Sequence, residues 1–292
     1  MLENKLNKST NIYSENKIVY KYLPIKRLEY LENELLRFTQ PNDLNDPFEC
    51  HPIYPSKEEY VDFLNKELKE EIEKIKKGNL GKRRTNYYIS NSTEKYNSEI
   101  NKVRNNEKEN SREIYIQNSI KDLNSKLGIF SLSRRWNSTL MWSHYTNSHE
   151  GFCIGFNKDL DYFLKEDPNS SEPKYIFNPV IYGNDRIKVP LLKGKRIDFN
   201  LLFTKSEDWR YENEERLLAK LVNRKIVKDK DVKIPIYLFR VPHSLIKEII
   251  VGVAMEQKNI DIIRKFCIEK NIDLYKSEMN ELEFNMKRNR IL

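Results

Sequence analysis

The stretch LGIFSLSRRWNSTLMWSHYTNSHEGFCIGFN, residues 127–157, decides the fold class. Its ends, GIFSLS and GFCIGF, have the apolar and aromatic content of buried strands, and the aromatic run MWSHY at 141–145 lies between them. Towards the N-terminus, IVYKYLPIKRLEYLENELLRFTQ (18–40) reads as a strand from Ile18 to Tyr22, a helix from Pro24 and a second strand from Leu36 to Thr39. Proline is tolerated in a first helical turn, and Leu28, Leu31 and Leu35 recur at helical spacing. The following PNDLNDPFE (41–49) is dense in turn formers. Towards the C-terminus, FNPVIYG (177–183), IPIYLFRV (234–241) and EIIVGVAM (248–255) read as strands; NIDIIRKFCIEKN (259–271) reads as a helix and DLYKSE (273–278) as a short strand.

Between Ser56 and Lys126 the composition shifts to Lys, Glu, Asn and Ser, with Phe63, Leu64, Leu68, Ile72 and Ile75 at helical intervals. Two or three amphipathic helices are expected there, and the polar stretch 78–110 between them is expected to be a mobile loop or a loosely packed helix. The expectation is a single α+β domain over 1–292, with a mixed or antiparallel sheet core and a polar helical insertion at 56–126.

With 33% charged residues and no apolar run approaching the roughly 18 residues of a spanning helix, no membrane partner is expected. The start MLENKLNKSTNIYSENK lacks the apolar segment of a secretory signal, so a cytoplasmic location is expected. Cys50, Cys153 and Cys267 lie far apart without a C-x-x-C pair, which predicts neither a disulfide framework nor a cysteine metal site. The four histidines show no metal-binding spacing, and no metal is expected. Lys and Arg exceed Asp and Glu by 52 to 44, a net charge of +8 that favours anionic partners without a compact basic block to locate them. Glycine-rich phosphate loops and a G-x-S-x-G elbow are both missing from the sequence, which argues against P-loop, Rossmann and α/β-hydrolase chemistry.

Three segments combine aromatic with reactive groups: Tyr20-Lys21-Tyr22 with the NDPFE turn at 45–49, MWSHY, and Trp209-x-x-Glu212-x-Glu214-x-Arg216. On an extended strand Glu212, Glu214 and Arg216 would share one face. The arginine could then hold one carboxylate and leave the other to accept a hydrogen bond or stabilise developing positive charge. Trp142, Ser143, His144 and Tyr145 read as a pocket wall with polar tips, the alternative being a core corner. Asn45-Asp46-Pro47 reads as a structural turn, while Glu49 could belong to the pocket.

YKYLP, FTQPNDLNDPFE, LMWSHYTNSHEGFCIGFN, KSEDWRYENEERLL and IKEIIVG together resemble an uncharacterised bacterial domain-of-unknown-function family marked by NDPFE, MWSHY and W-x-x-E-x-E-x-R. More distantly, the motif order is similar to that of ADP-ribosyltransferases. That resemblance implies an NAD-consuming enzyme of the toxin or phage-defence kind, with a protein or nucleic-acid acceptor and an antitoxin partner. It also implies roles: Glu214 as the catalytic glutamate, Glu212 positioning the acceptor, Tyr145 or Trp142 stacking on nicotinamide, Tyr20 to Tyr22 holding ribose or nicotinamide, and Lys21 or Arg216 neutralising the pyrophosphate, with Ser143 beside them. Where that family carries an Arg or His on its first strand, this chain has Lys21, and it has no Ser-Thr-Ser triplet. Two other classes fit the residues: a non-catalytic nucleic-acid or protein binding module, and a metal-independent hydrolase or nuclease using His144 with Glu212 or Glu214 as acid and base.

Overall fold

The computed structural model describes residues 17–53, 55–78, 80–105, 118, 121–158, 175–188, 199–221, 225–227 and 235–292. Residues 106–110 of the polar stretch, and the segments 159–174 and 189–198 that flank FNPVIYG, lie outside them.

An eight-stranded mixed sheet forms the body, in the order β13-β12-β11-β4-β1-β3-β8-β5. Its strands are β1 (Ile18–Leu23), β3 (Leu127–Ser133), β4 (Phe152–Asn157), β5 (Tyr175–Pro179), β8 (Glu214–Lys220), β11 (Ile246–Val251), β12 (Asp273–Met279) and β13 (Met286–Arg290). All neighbours are antiparallel except β11 and β12, which run parallel. The helix between them is α5 (Gln257–Lys270), whose Ile260, Ile263, Phe266 and Cys267 fall on one buried stripe. A three-stranded sheet, β2 (Leu35–Phe38), β10 (Ile236–Arg240) and β9 (Lys225–Val227), packs alongside, with Phe38 stacked on Phe130 and Phe239. A two-stranded parallel ribbon joins β6 (Ile181–Gly183) to β7 (Thr204–Ser206). The fold is thus α+β with a mixed sheet and several helices.

The structure departs from the sequence reading at one expected element and assigns two that the reading left open. The helix from Pro24 shrinks to a 3-10 turn at Ile25–Arg27 and a single turn, α1 (Tyr30–Asn33). Glu34 stops it in the left-handed conformation (φ 58°), held by hydrogen bonds from the His243 amide (2.9 Å) and Arg240 Nε (2.6 Å). MWSHY is helical: α4 (Thr139–Tyr145) begins at Ser138, whose hydroxyl accepts from the Met141 amide. Strand β13, MKRNR, has too little apolar content to be read as a strand, because it is the sheet edge and buries only Met286.

Two long helices fill 57–104: α2 (Lys57–Lys77), opened by a Ser56/Glu59 capping box, and α3 (Lys82–Arg104), so that most of the polar stretch 78–110 is the second helix rather than a segment between helices. They pack on each other through Val61, Leu64, Ile100 and Val103, a cluster separate from the main core. Among the described residues no helix is long and apolar enough to cross a membrane, and all three cysteines are buried free thiols.

Candidate functional site

Strand β1 pairs with β4 along its whole length but with β3 only at Tyr20 and Ser133. Elsewhere β1 and β3 diverge, and a cavity of about 340 Å³ is lined by both strands as well as by β2 and the ends of β7 and β8. Lys21 Nζ bridges the fork by donating to the Ser131 carbonyl (2.8 Å). Strand alternation sends Tyr20 and Tyr22 to the opposite face from Lys21. Their hydroxyls are engaged there, Tyr20 with Glu248 (3.0 Å) and Tyr22 with the Arg135 carbonyl (2.9 Å).

The cavity floor is a buried charge cluster. Lys205, on β7, lies 2.7 Å from Glu49, 2.6 Å from Glu212 and 3.6 Å from Glu214. Arg216 is fully buried: its Nε and Nη2 hold the two oxygens of Glu214 at 2.8 and 3.0 Å, and Nη2 also reaches Glu49 at 2.6 Å. Tyr145 donates to Glu212 and accepts from Asn45 Nδ2 (2.9 Å). The NDPFE segment therefore supplies two site residues, Asn45 and Glu49. Asp46 shapes the turn by accepting from the Phe48 amide (2.9 Å).

Glu212 and Glu214 do not meet by strand alternation. Glu212 ends a 3-10 helix (Glu207–Glu212), Asn213 adopts the left-handed conformation (φ 45°), and the strand begins at Glu214. That one-residue reversal turns both carboxylates towards Lys205, and the Ser133 hydroxyl fixes it by donating to the Glu212 carbonyl (2.6 Å).

Two cations facing three carboxylates leave one negative charge in excess in a poorly hydrated place, and the carboxylates divide it unequally. Burial, and then the charge of Glu214, raise Glu212 above the usual carboxylate range despite Lys205. Burial acts on Glu214 as well, but Arg216 and Lys205 outweigh it and hold that carboxyl at about 2. Lys21 is lowered to about 8 by burial, which the attraction of Glu214 and Glu212 only partly offsets. One carboxylate thus stays charged while its neighbour is poised to take up a proton. Lys26, Arg27 and Arg37 also line the cavity; Arg37 is paired with Asp43, which lines it too, and Arg27 with Glu29 (3.3 Å).

Of the residues singled out in the sequence, Lys21, Tyr145, Glu212, Glu214 and Arg216 converge here, and Tyr20 and Tyr22 line the wall. Trp142 does not line the cavity: it is fully buried, edge-on to Tyr22, with its indole N–H given to the Trp136 carbonyl (2.7 Å). Ser143 and His144 lie on the exposed side of α4, and His144 Nδ1 is 3.0 Å from the Tyr211 hydroxyl. A seven-residue helix cannot turn all of MWSHY inward. Lys205 was missed, although a lone lysine in the apolar run LLFTKS (201–206) was a signal of a buried, paired cation. Among the described residues no group of three or more His, Cys, Asp or Glu side chains is placed to hold a metal ion.

A family model described as "Protein of unknown function (DUF2971)" matches residues 141–217, from MWSHY to the strand that carries Glu214 and Arg216. The match supports an uncharacterised family of unknown function as the chain's relative. No curated protein and no solved structure matches the chain.

Proposed function

We propose that the cavity takes NAD as a substrate and that the protein transfers ADP-ribose from it, or hydrolyses it, at the nicotinamide–ribose bond. The observation that carries this reading is the pair of carboxylates, their proton affinities shifted in opposite directions, beside one lysine in a cavity that is also lined by Lys26, Arg27 and Arg37. Lys26, Arg27, Arg37 and Lys21 suit a pyrophosphate, and Met141 with Tyr145 offers an apolar wall for nicotinamide. Cleavage leaves positive charge on the ribose as the bonding electrons pass to the ring nitrogen of nicotinamide. Glu214, kept ionised by Arg216, stabilises that charge. Glu212, with its raised proton affinity, takes the proton of the attacking water or acceptor as the new bond to the ribose carbon forms.

The test is nicotinamide release from NAD by the purified chain. Glu214→Gln should lower the rate by about 100-fold or more, with thermal melting confirming that the variant folds. Glu212→Gln should depress acceptor-dependent transfer more than bond cleavage. An inactive wild type, or a Glu214→Gln variant as fast as wild type, would overturn the reading.

A further inference from the structure

A second concavity, of about 480 Å³, opens beside the first, and among the described residues its lining holds three cations, Lys17, Arg134 and Arg135, with Tyr20 and Trp136 and no carboxylate. It adjoins the candidate site. Tyr20 lines both hollows, Ser133 of the cavity precedes Arg134 of the groove, and the Arg134 amide donates to the carbonyl of Asn213 (3.0 Å), the residue between the two glutamates. Two of the cations are weakly compensated: Arg135 meets the Asn137 amide oxygen at 3.4 Å, and Arg134 is 4.0 Å from Glu215, which Lys158 approaches to 2.8 Å.

Aromatic groups accompany the charge. Arg288 lies over Trp136 at 4.8 Å, and the turn between β12 and β13 carries Leu282 and Phe284 fully in solvent (93% and 104% exposed). That turn is fastened next to the groove, because the Met286 amide donates to the carbonyl of Asn137 (3.4 Å). The groove's lining is cationic, and the two acids that flank Phe284 on the turn are already engaged, Glu281 with Lys287 (3.3 Å) and Glu283 with the Asn285 side-chain amide. Cations beside an unburied aromatic ring match a chain of phosphates and bases, in which every base offers a face for Phe284, better than an acidic peptide, in which few residues do.

We infer that this groove binds single-stranded nucleic acid and presents it to the cavity as the acceptor. The presentation rests on the NAD reading; the binding does not, and it is measured without NAD. The probe is a fluorescently labelled single-stranded oligonucleotide followed by anisotropy over a salt series with the full chain. Replacing Lys17, Arg134 and Arg135 together by Ala should remove about 2 from the slope of log affinity against log salt, at about 0.7 per phosphate contact. Phe284→Ala should weaken binding at least about fivefold at fixed salt. The same charge loss at the exposed Lys66, Lys69 and Lys76 of α2 should leave the slope in place. Equal losses from both triple variants, no measurable binding by wild type, or displacement of the oligonucleotide by polyglutamate with Phe284→Ala silent would each overturn the inference. Nicotinamide release is assayed separately, so a chain that binds the oligonucleotide without cleaving NAD refutes the first proposal and the presentation with it while upholding the binding, and the converse refutes the groove alone.

Discussion

Lys21 is held by a backbone carbonyl, where Lys205 and Arg216 are held by carboxylates, and the difference decides how each behaves with pH. Its folded value of about 8 lies below the unfolded 10.5, so below pH 8 the folded chain carries the full cost of a buried ammonium. That cost disappears as pH rises from 8 to 10.5. The same titration removes a cation from the cavity. Affinity for NAD, measured calorimetrically, should fall as pH passes through about 8, and Lys21→Arg, which stays charged, should abolish the inflection. A wild-type profile flat across that range would remove Lys21 from ligand binding.

Glu214 has the opposite sign. Its value of about 2 lies below the ordinary 4.5, so its stabilisation is complete above 4.5 and is lost as pH falls towards 2. By linkage it amounts to about 3 kcal/mol, and Glu212, shifted upward, offsets part of it at neutral pH. Denaturant midpoints should drop across that acid window, and Glu214→Gln should flatten the drop. Arg216→Met should cost about 3–5 kcal/mol at neutral pH, because it leaves Lys205 to balance the three buried carboxylates Glu49, Glu212 and Glu214. A midpoint unchanged by that substitution would mean that the cluster is hydrated and the carboxylates need no partner.

At the scale of elements, the site depends on how tightly α4 is strapped to the sheet. Asn147, Ser148 and His149 are three successive left-handed residues that return the chain from α4 into β4. They lie against the end of β11, where a Cβ on Gly252 would sit 1.9 Å from the His149 carbonyl oxygen. Gly252→Ala should therefore cost more than about 2 kcal/mol and lower the melting temperature by several degrees. It should also slow nicotinamide release, because α4 carries Tyr145 to Glu212. An unshifted melting curve would show that the turn yields without disturbing the helix.

The sequence announced most of these elements, since β1, β3, β4, β11, β12 and α5 have strong apolar patterns of one period or the other. It announced the site by composition rather than by geometry. Period-two spacing suggested a shared strand face for Glu212, Glu214 and Arg216, but a single left-handed Asn213 brings the first of them in from a 3-10 helix. Such a reversal leaves no periodic trace. The fork between β1 and β3 was likewise invisible, because strand pairing is a long-range choice that local pattern does not record.

For the whole molecule, the separation of charged from apolar residues divides the labour. The sheet body holds the main core and the cavity, whereas α2 and α3 bury their apolar stripes mainly against each other. Helices of 21 and 23 residues are about 32 and 35 Å long, so as an antiparallel hairpin they bring the chain back close to where it left the body. Glu59 and Lys188, 3.4 Å apart and half exposed, tie the hairpin to the body through a surface pair of the kind worth about 0–1 kcal/mol. Among the described residues, none of those lining the candidate cavity comes from the hairpin. Replacing residues 57–104 by a short Gly/Ser linker should accordingly remove much of the helical circular dichroism while the remaining chain still melts cooperatively, within a few degrees of wild type. Nicotinamide release should persist. A non-cooperative melt would mean that the hairpin belongs to the folding unit of the sheet, and a cooperative melt with lost activity would mean that it reaches the substrate in a way the cavity lining does not reveal.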